Sequence, residues 1–349
     1  MFKIEEDIRK ARTLPSEFYT DERNFEMAAV KLFSRSWQFL GRADDFAKAQ
    51  PHMLLPGLLD EPLVTVKNGE GSLICRSNVC THRGMILVEE ACEPDILRCR
   101  YHGRRFSPEG KCLSMPEFEE VEGFPSPEDD LAEVPCGDWN GFVFASASPA
   151  APLLEFVEPI AGRLEGFAFE ELEFTGKRDY EVDAHWALYC ENYLEGFHIP
   201  YVHPSLNREL DYSSYSTELF RYSSLQTGRS GNAGEAGASP LGGDIEALYY
   251  FVFPNLMLNF YHWGISVNIV RPLAPGRSVV TYLTYVSDPG KKEEGAGADL
   301  DAVELEDQRV VESVQKGIRS RYYDRGRYSP SKETGTHHFH RLICEFLAG

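Results

Sequence analysis

Two groups of residues in this sequence have the types and spacing of metal sites. The first is Cys80-x-His82 followed, after sixteen residues, by Cys99-x-x-His102. Each pair runs on into a glycine, Gly84 or Gly103, which can turn the backbone sharply enough for both ligands of a loop to face one centre. Two thiolates and two imidazoles suit a tetrahedral zinc ion, or a [2Fe-2S] cluster with Cys on one iron and His on the other. The Cys-x-His spacing is uncommon among zinc fingers, which pair Cys with Cys and His with His. Cys75, Cys92, Cys112 and Cys136 have no such spacing and read as ordinary buried or surface thiols.

The second group lies in CENYLEGFHIPYVH, residues 190–203, where Asn192, Glu195, His198 and His203 interrupt aromatic and apolar text. If this stretch is helical, Asn192, Glu195 and His198 share one stripe, and a bend at Pro200 brings His203 round to His198. Two imidazoles plus a carboxylate with open positions make the facial triad of non-haem Fe(II) oxygenases. Glu195 is the nearby carboxylate. A distant one lies in DLDAVELEDQRVVESVQKGIRS: at 100° per residue, Val303, Val310, Val311, Val314 and Ile318 form an apolar face with Asp307 near its middle. On that count Glu304 and Glu306 fall at the margins and Glu312 points away. A buried carboxylate without a partner is costly, and metal ligation removes that cost.

The elements that position these groups follow from periodicity. Phe25, Ala28, Ala29, Leu32 and Phe33 predict an N-terminal helix that leads into a strand near Trp37–Leu40. From residue 39 to about 147 short apolar runs alternate with Gly, Pro and acidic turns, the pattern of a small all-β domain. The Pro/Ala stretch ASASPAAPLLEF marks a boundary. Residues 247–286 hold several strands, 300–320 a helix, and 230–244 and 291–299 read as Gly-rich loops. His337, His338 and His340 read as packing or surface residues of a C-terminal helix, and His52 and His185 as structural.

Of 349 residues, 42% are hydrophobic, enough for a full core and two domains. The formal charge of -20 argues against nucleic acid or an anionic membrane as partner. No apolar run approaches the roughly 20 residues of a membrane span, and MFKIEEDIRKARTLPSEF lacks a signal-peptide core, so a cytoplasmic location is expected.

The double Cys/His motif in its HRG and YHG contexts, with ENYLEGFHIPYVHPSL and EDQRVVESVQKGIRSRYYDRGRYS, resembles the Rieske non-haem iron oxygenases, the aromatic ring-hydroxylating alpha-subunit family, with its choline monooxygenase-like and phenylpropionate dioxygenase-like members. Respiratory Rieske proteins would carry Cys where Met85 and Tyr101 stand. The resemblance implies an α+β chain: a small all-β Rieske domain at 38–150, and a helix-grip catalytic domain from 1–37 and 151–349, with an antiparallel sheet and a long C-terminal helix. It also implies that Cys80, His82, Cys99 and His102 hold the [2Fe-2S] cluster and that His198, His203 and Asp307 hold mononuclear Fe(II). Glu195, with Asn192 beside it, then takes the position of the acid that bridges an iron ligand to a cluster ligand of a neighbouring subunit. Glu stands there where Asp is commoner in the family, and Arg104 stands where an aromatic residue often follows YHG.

The implied activity is O2-dependent hydroxylation of a small molecule, an aromatic ring first, with N- or O-demethylation or hydroxylation of a quaternary ammonium compound as the alternative. A non-catalytic Rieske electron-transfer or ligand-binding protein is the rival of another class. No dinucleotide motif is present, so electrons from NAD(P)H are expected through a separate flavin reductase, with or without a ferredoxin, into a homotrimer with inter-subunit electron transfer. The substrate pocket is expected from Phe197, Leu206, Phe251, Phe253, Leu256, Leu258, Phe260 and His262.

Overall fold

A computed structural model describes residues 2–68, 72–230, 241–291 and 300–349. Its contacts divide the chain into two compact units, Ser34–Leu153 and the combination of Met1–Phe33 with Leu154–Gly349. The Gly-rich segments expected as loops at 230–244 and 291–299 lie largely outside the described residues.

The chain starts with α1 (Ser16–Thr20) and α2 (Glu22–Lys31). Asp21 caps α2 by accepting from the Arg23 backbone N–H at 2.8 Å. Phe25, Ala28 and Ala29 are its buried stripe, followed by buried Leu32 and Phe33, as the periodicity predicts.

The unit Ser34–Leu153 is built of short antiparallel strands. These are β1 (Gln38–Arg42), β2 (Ala49–Leu54), β3 (Glu61–Lys67), β4 (Leu73–Ser77), β5 (Leu97–Arg98), β6 (Arg105–Phe106), β7 (Cys112–Ser114), β8 (Cys136–Trp139) and β9 (Phe142–Ala145). They form three three-stranded sheets, ordered β1-β9-β8, β2-β3-β4 and β5-β6-β7. Cys80 and Cys99 join Val64, Val66, Leu97 and Phe106 in one buried cluster. Two thiols are thereby fixed in an apolar core while the loops that carry them reach outward.

The second unit continues through α3 (Leu153–Val157), β10 (Glu173–Val182), α4 (Trp186–Tyr193), α5 (Ile199–Val202) and α6 (Leu206–Glu209). Strands β11 (Ser216–Leu219), β12 (Ser223–Arg229), β13 (Ile245–Val252), β14 (Leu256–Tyr261), β15 (Gly264–Ala274) and β16 (Arg277–Val286) follow, then α7 (Leu300–Gly317) and α8 (Thr334–Ala348). One antiparallel sheet of seven strands runs β10-β16-β15-β14-β13-β12-β11. Helix α4 is apolar nearly all round because it is packed between α7 and the sheet at β15 and β16. Trp186, Trp263, Phe253 and Phe260 are fully buried, and each side chain of this size stabilises the fold by about 2 kcal/mol.

Helix α7 departs from the expected face. Its buried residues are Glu304, Val311 and Gln315, whereas Val314 is exposed. Ranking positions by hydrophobicity placed Glu304 at the margin. The packed elements instead present phenols to this helix, so its inner face carries a carboxyl.

Candidate metal centres

The two Cys/His loops of the first unit are folded alike. Cys80 N–H donates to the Met85 carbonyl at 2.8 Å and Gly84 N–H to the Cys80 carbonyl at 2.9 Å. Cys99 N–H donates to the Arg104 carbonyl at 2.8 Å and Gly103 N–H to the Cys99 carbonyl at 3.0 Å. Gly84 and Gly103 have φ of +74° and +78°, a left-handed turn that glycine adopts without strain. Cys80 and Cys99 are buried, while His82 and His102 reach the surface side with ring centroids 4.8 Å apart. Burial raises the Cys80 thiol; the His82 backbone N–H opposes this and the neighbouring Cys99 thiol adds to it. A thiol pair inside and an imidazole pair outside is a donor set that fits a cluster with unlike irons.

Arg104, the departure from the family pattern, is buried here. Its Nη2 lies 2.5 Å from Asp129 Oδ1, Nε donates to Cys112 Sγ at 3.4 Å, and the guanidinium lies over the rings of Phe106 and Phe124 at 5.7 and 5.2 Å. A planar guanidinium stacked on aromatic faces fills the space of an aromatic side chain.

In the second unit His198, His203 and Asp307 converge, each offering one atom within 4.8 Å of the others. The distances are 3.1 Å for His198 Nε2 to His203 Nε2, 3.0 Å for His203 Nε2 to Asp307 Oδ1, and 3.5 Å for His198 Nε2 to Asp307 Oδ1. Cis ligands of an octahedral ion with bonds of about 2.1 Å stand about 3 Å apart, so this triangle fits one face around iron. Each imidazole is oriented by a carboxylate at its other nitrogen: Glu195 Oε1 lies 2.8 Å from His198 Nδ1, and Glu306 Oε2 lies 2.7 Å from His203 Nδ1. Burial opposes charge on His203, yet Asp307 and then Glu306 outweigh it and raise its pKa. Asn192 Nδ2 donates to Asp307 Oδ1 at 2.5 Å.

The expected continuous helix through His198 is corrected. Helix α4 stops at Tyr193, and Glu195 and His198 lie in the turn before α5, where the Glu195 carboxylate accepts from the His198 backbone N–H at 3.0 Å. Within that turn a Cβ on Gly196 would stand 2.5 Å from Tyr215 Cε1, so the close ring excludes any side chain there.

Beside the triad a compact cavity of about 90 Å³ is lined by Tyr189, Tyr193, Tyr215, Tyr249, Tyr261 and Tyr282, with Asn259, Asn268, Leu206, Leu300 and Val303. Of the expected pocket residues only Leu206 lines it. Leu256, Leu258 and Phe260 point to the opposite face of the sheet, where Phe260 meets Phe167 at 5.2 Å. Phe251 and Phe253 pack on Phe339, Phe197 is exposed, and His262 lies 3.6 Å from Glu246. The sequence reading missed the tyrosines and Glu306. The alternation of Tyr249, Asn259, Tyr261 and Asn268 with apolar residues was the available signal.

Residues 169–349 match the family model for the catalytic domain of the ring-hydroxylating alpha subunit, and residues 36–125 that of the Rieske [2Fe-2S] domain. Chloroplastic choline monooxygenase of Arabidopsis thaliana is 32% identical over 96% of this chain and 83% of its own length. The oxygenase subunit of carnitine monooxygenase of Escherichia coli (strain K12) is 27% identical over 97% and 94%. Among solved structures, a quaternary ammonium Rieske monooxygenase in complex with L-carnitine superposes with a TM-score of 0.80 at 22% identity, covering 99% of each chain. Naphthalene 1,2-dioxygenase with indole bound gives 0.76 at 19% identity, covering 97% of this chain and 92% of that one. Matched along nearly its whole length by oxygenases that join a [2Fe-2S] domain to a mononuclear-iron domain, the chain belongs to the ring-hydroxylating alpha-subunit family of Rieske non-haem iron oxygenases.

Proposed function

We propose that this oxygenase acts on a small methylated ammonium compound, with His198, His203 and Asp307 as iron ligands and Cys80, His82, Cys99 and His102 as cluster ligands. The observation that carries the substrate class is the wall of six tyrosines around the cavity beside the triad. Aromatic faces attract a cation, and a quaternary ammonium group, which has no N–H to donate, is recognised by such faces. Tyr193, Tyr215 and Tyr261 surround Tyr249 with ring centroids 6.4, 6.4 and 6.1 Å away. A multi-ring hydrocarbon would be served better by a larger, aliphatic wall. The alternative substrate class of the sequence reading therefore replaces aromatic ring hydroxylation as the favoured one, and the choline and carnitine monooxygenases among the relatives support it.

When bound, the iron supplies O2 activation and the cluster supplies single electrons. Glu195 and Glu306 hold the Nδ1 atoms of His198 and His203, so both Nε2 atoms face the metal position. Asn192 holds the Asp307 carboxylate. Glu195 is also the acid we assign to the electron path between subunits, in a homotrimer served by a separate NAD(P)H-linked reductase. The Rieske domain is assigned to 38–150 and the catalytic domain to 1–37 with 151–349.

Reductase-coupled, NADH-driven oxygen uptake tests this reading against choline, carnitine, aromatic acids and aryl ethers. Uptake with matching product from an ammonium compound is expected. Coupled turnover of an aromatic acid alone would overturn the substrate class.

A further inference from the structure

Glu304 belongs to neither metal site, yet it is the charged side chain that α7 buries completely. Two phenols from different elements converge on one of its oxygens: Tyr189 of α4 donates to Oε2, and Tyr282 of β16 donates to the same atom at 2.5 Å. The two hydroxyls stand 3.0 Å apart. The other oxygen, Oε1, is buried with no hydrogen-bond partner among the described residues. Both phenols line the cavity beside His198, His203 and Asp307. Asp307, on the same helix, is the other charged group acting on Glu304.

We propose that Glu304 is the counter-charge for the substrate's ammonium group, felt in the cavity through Tyr189 and Tyr282. The proposal rests on the ammonium reading given above. A fully methylated cation has no N–H to donate, so its counter-charge need not touch it: a negative charge set one layer behind aromatic walls attracts it through the rings. The two phenols that donate hydrogen bonds to Glu304 both line the cavity, so the carboxylate lies one side chain behind its wall. Glu195 and Glu306 are engaged with His198 and His203, and Glu246 beside Tyr249 lies 3.6 Å from His262, whereas Glu304 is fully buried and bonded to two wall tyrosines. A clamp that only held α7 to α4 and β16 would work equally well with a neutral amide. Glu304 is thus a positioning residue, acting on substrate through two tyrosines.

The test is binding of choline and of its neutral carbon isostere, dimethylbutanol, to the iron-loaded protein by calorimetry at pH 8, where Glu304 is ionised, for the wild-type chain and for Glu304→Gln. The amide keeps the volume and accepts from both phenols, and unchanged iron content with a Tm no lower than that of the wild type establishes that the fold is intact. We expect Glu304→Gln to weaken choline about tenfold and to leave dimethylbutanol within about twofold. Should Glu304→Gln fail to fold, the double variant Tyr189→Phe, Tyr282→Phe carries the test, and the same selective loss of choline is expected. A wild-type chain that binds choline no more tightly than dimethylbutanol sinks the ammonium reading itself. A wild-type preference that survives Glu304→Gln, or the double variant, overturns the counter-charge and leaves the ammonium reading standing.

Discussion

The two candidate metal sites of this chain are built by opposite means. Each Cys/His loop closes on itself within about five residues, through the same pair of backbone hydrogen bonds around Cys80 and Cys99. The triad closes over more than a hundred residues: His198 and His203 flank α5, and Asp307 arrives on α7. A site closed locally needs its loop; a site closed at long range needs the whole packing of α4, α7 and the sheet. The donor atoms differ in the same sense, with two thiols in a core and two imidazoles near the surface in one case, and a triangle of atoms, with His203 fully buried, in the other.

The sharpest way to break this comparison is Asp307→Ala. It is expected to remove mononuclear iron and to lower turnover by about a thousandfold or more, while the visible spectrum of the cluster stays intact. Iron and sulfide analysis with absorbance reads both. Loss of the cluster spectrum as well would mean that the two sites are not independently built.

Next in size is the cost of burying Glu304. Burial, opposed by the hydrogen bonds from Tyr189 and Tyr282 and reinforced by Asp307, pushes its pKa up to about 7 from 4.5. Between those values the unfolded chain has released the proton and the folded chain retains it. Stability therefore falls as pH rises from about 4.5 to about 7, by about 3 kcal/mol, and is flat above. Urea unfolding of the wild type and of Glu304→Gln at pH 5 and pH 8 is expected to show this loss in the wild type alone. Equal slopes in both proteins would show that Glu304 ionises freely in the fold.

A smaller effect falls on the acid that orients His198. Glu195→Gln keeps a partner for Nδ1 but removes the charge, so iron is retained and turnover drops about 10- to 100-fold. Single-turnover reduction of the iron site, monitored against cluster oxidation, separates slowed electron transfer from lost iron. A variant with full turnover would remove Glu195 from the path.

What the sequence made legible follows the same division. Locally closed features were readable: the Gly84 and Gly103 turns, the α2 stripe and the Cys/His pairs all depend on neighbours in the chain. Asp307 was placed on the inner side of its helix, where it meets His198 and His203, because a helix has a regular face, though its neighbours were ranked wrongly. Glu304 was set at the margin since hydrophobicity orders positions by their own side chain, whereas its burial depends on Tyr189 and Tyr282 in other elements. The cavity wall was missed for a related reason. Strand β14 is buried on both faces, so burial does not say which face holds the cavity. Tyr and Asn at alternate positions did.

The smallest effect sharpens the local side of the comparison. Arg104 follows the second ligand loop directly, and its guanidinium is held by Asp129 and sandwiched toward Phe106 and Phe124. Lys at this position keeps one charge near Asp129 but loses the planar contact with both rings and the second hydrogen bond to Cys112. Arg104→Lys is expected to cost about 1–2 kcal/mol of stability in the Rieske unit, read as an earlier loss of cluster absorbance on heating. Iron content and turnover per intact cluster at low temperature should stay at wild-type values, because nothing in the Cys99–Arg104 loop is needed to bring His198, His203 and Asp307 together. A fall in mononuclear iron would show that the triad depends on this loop after all.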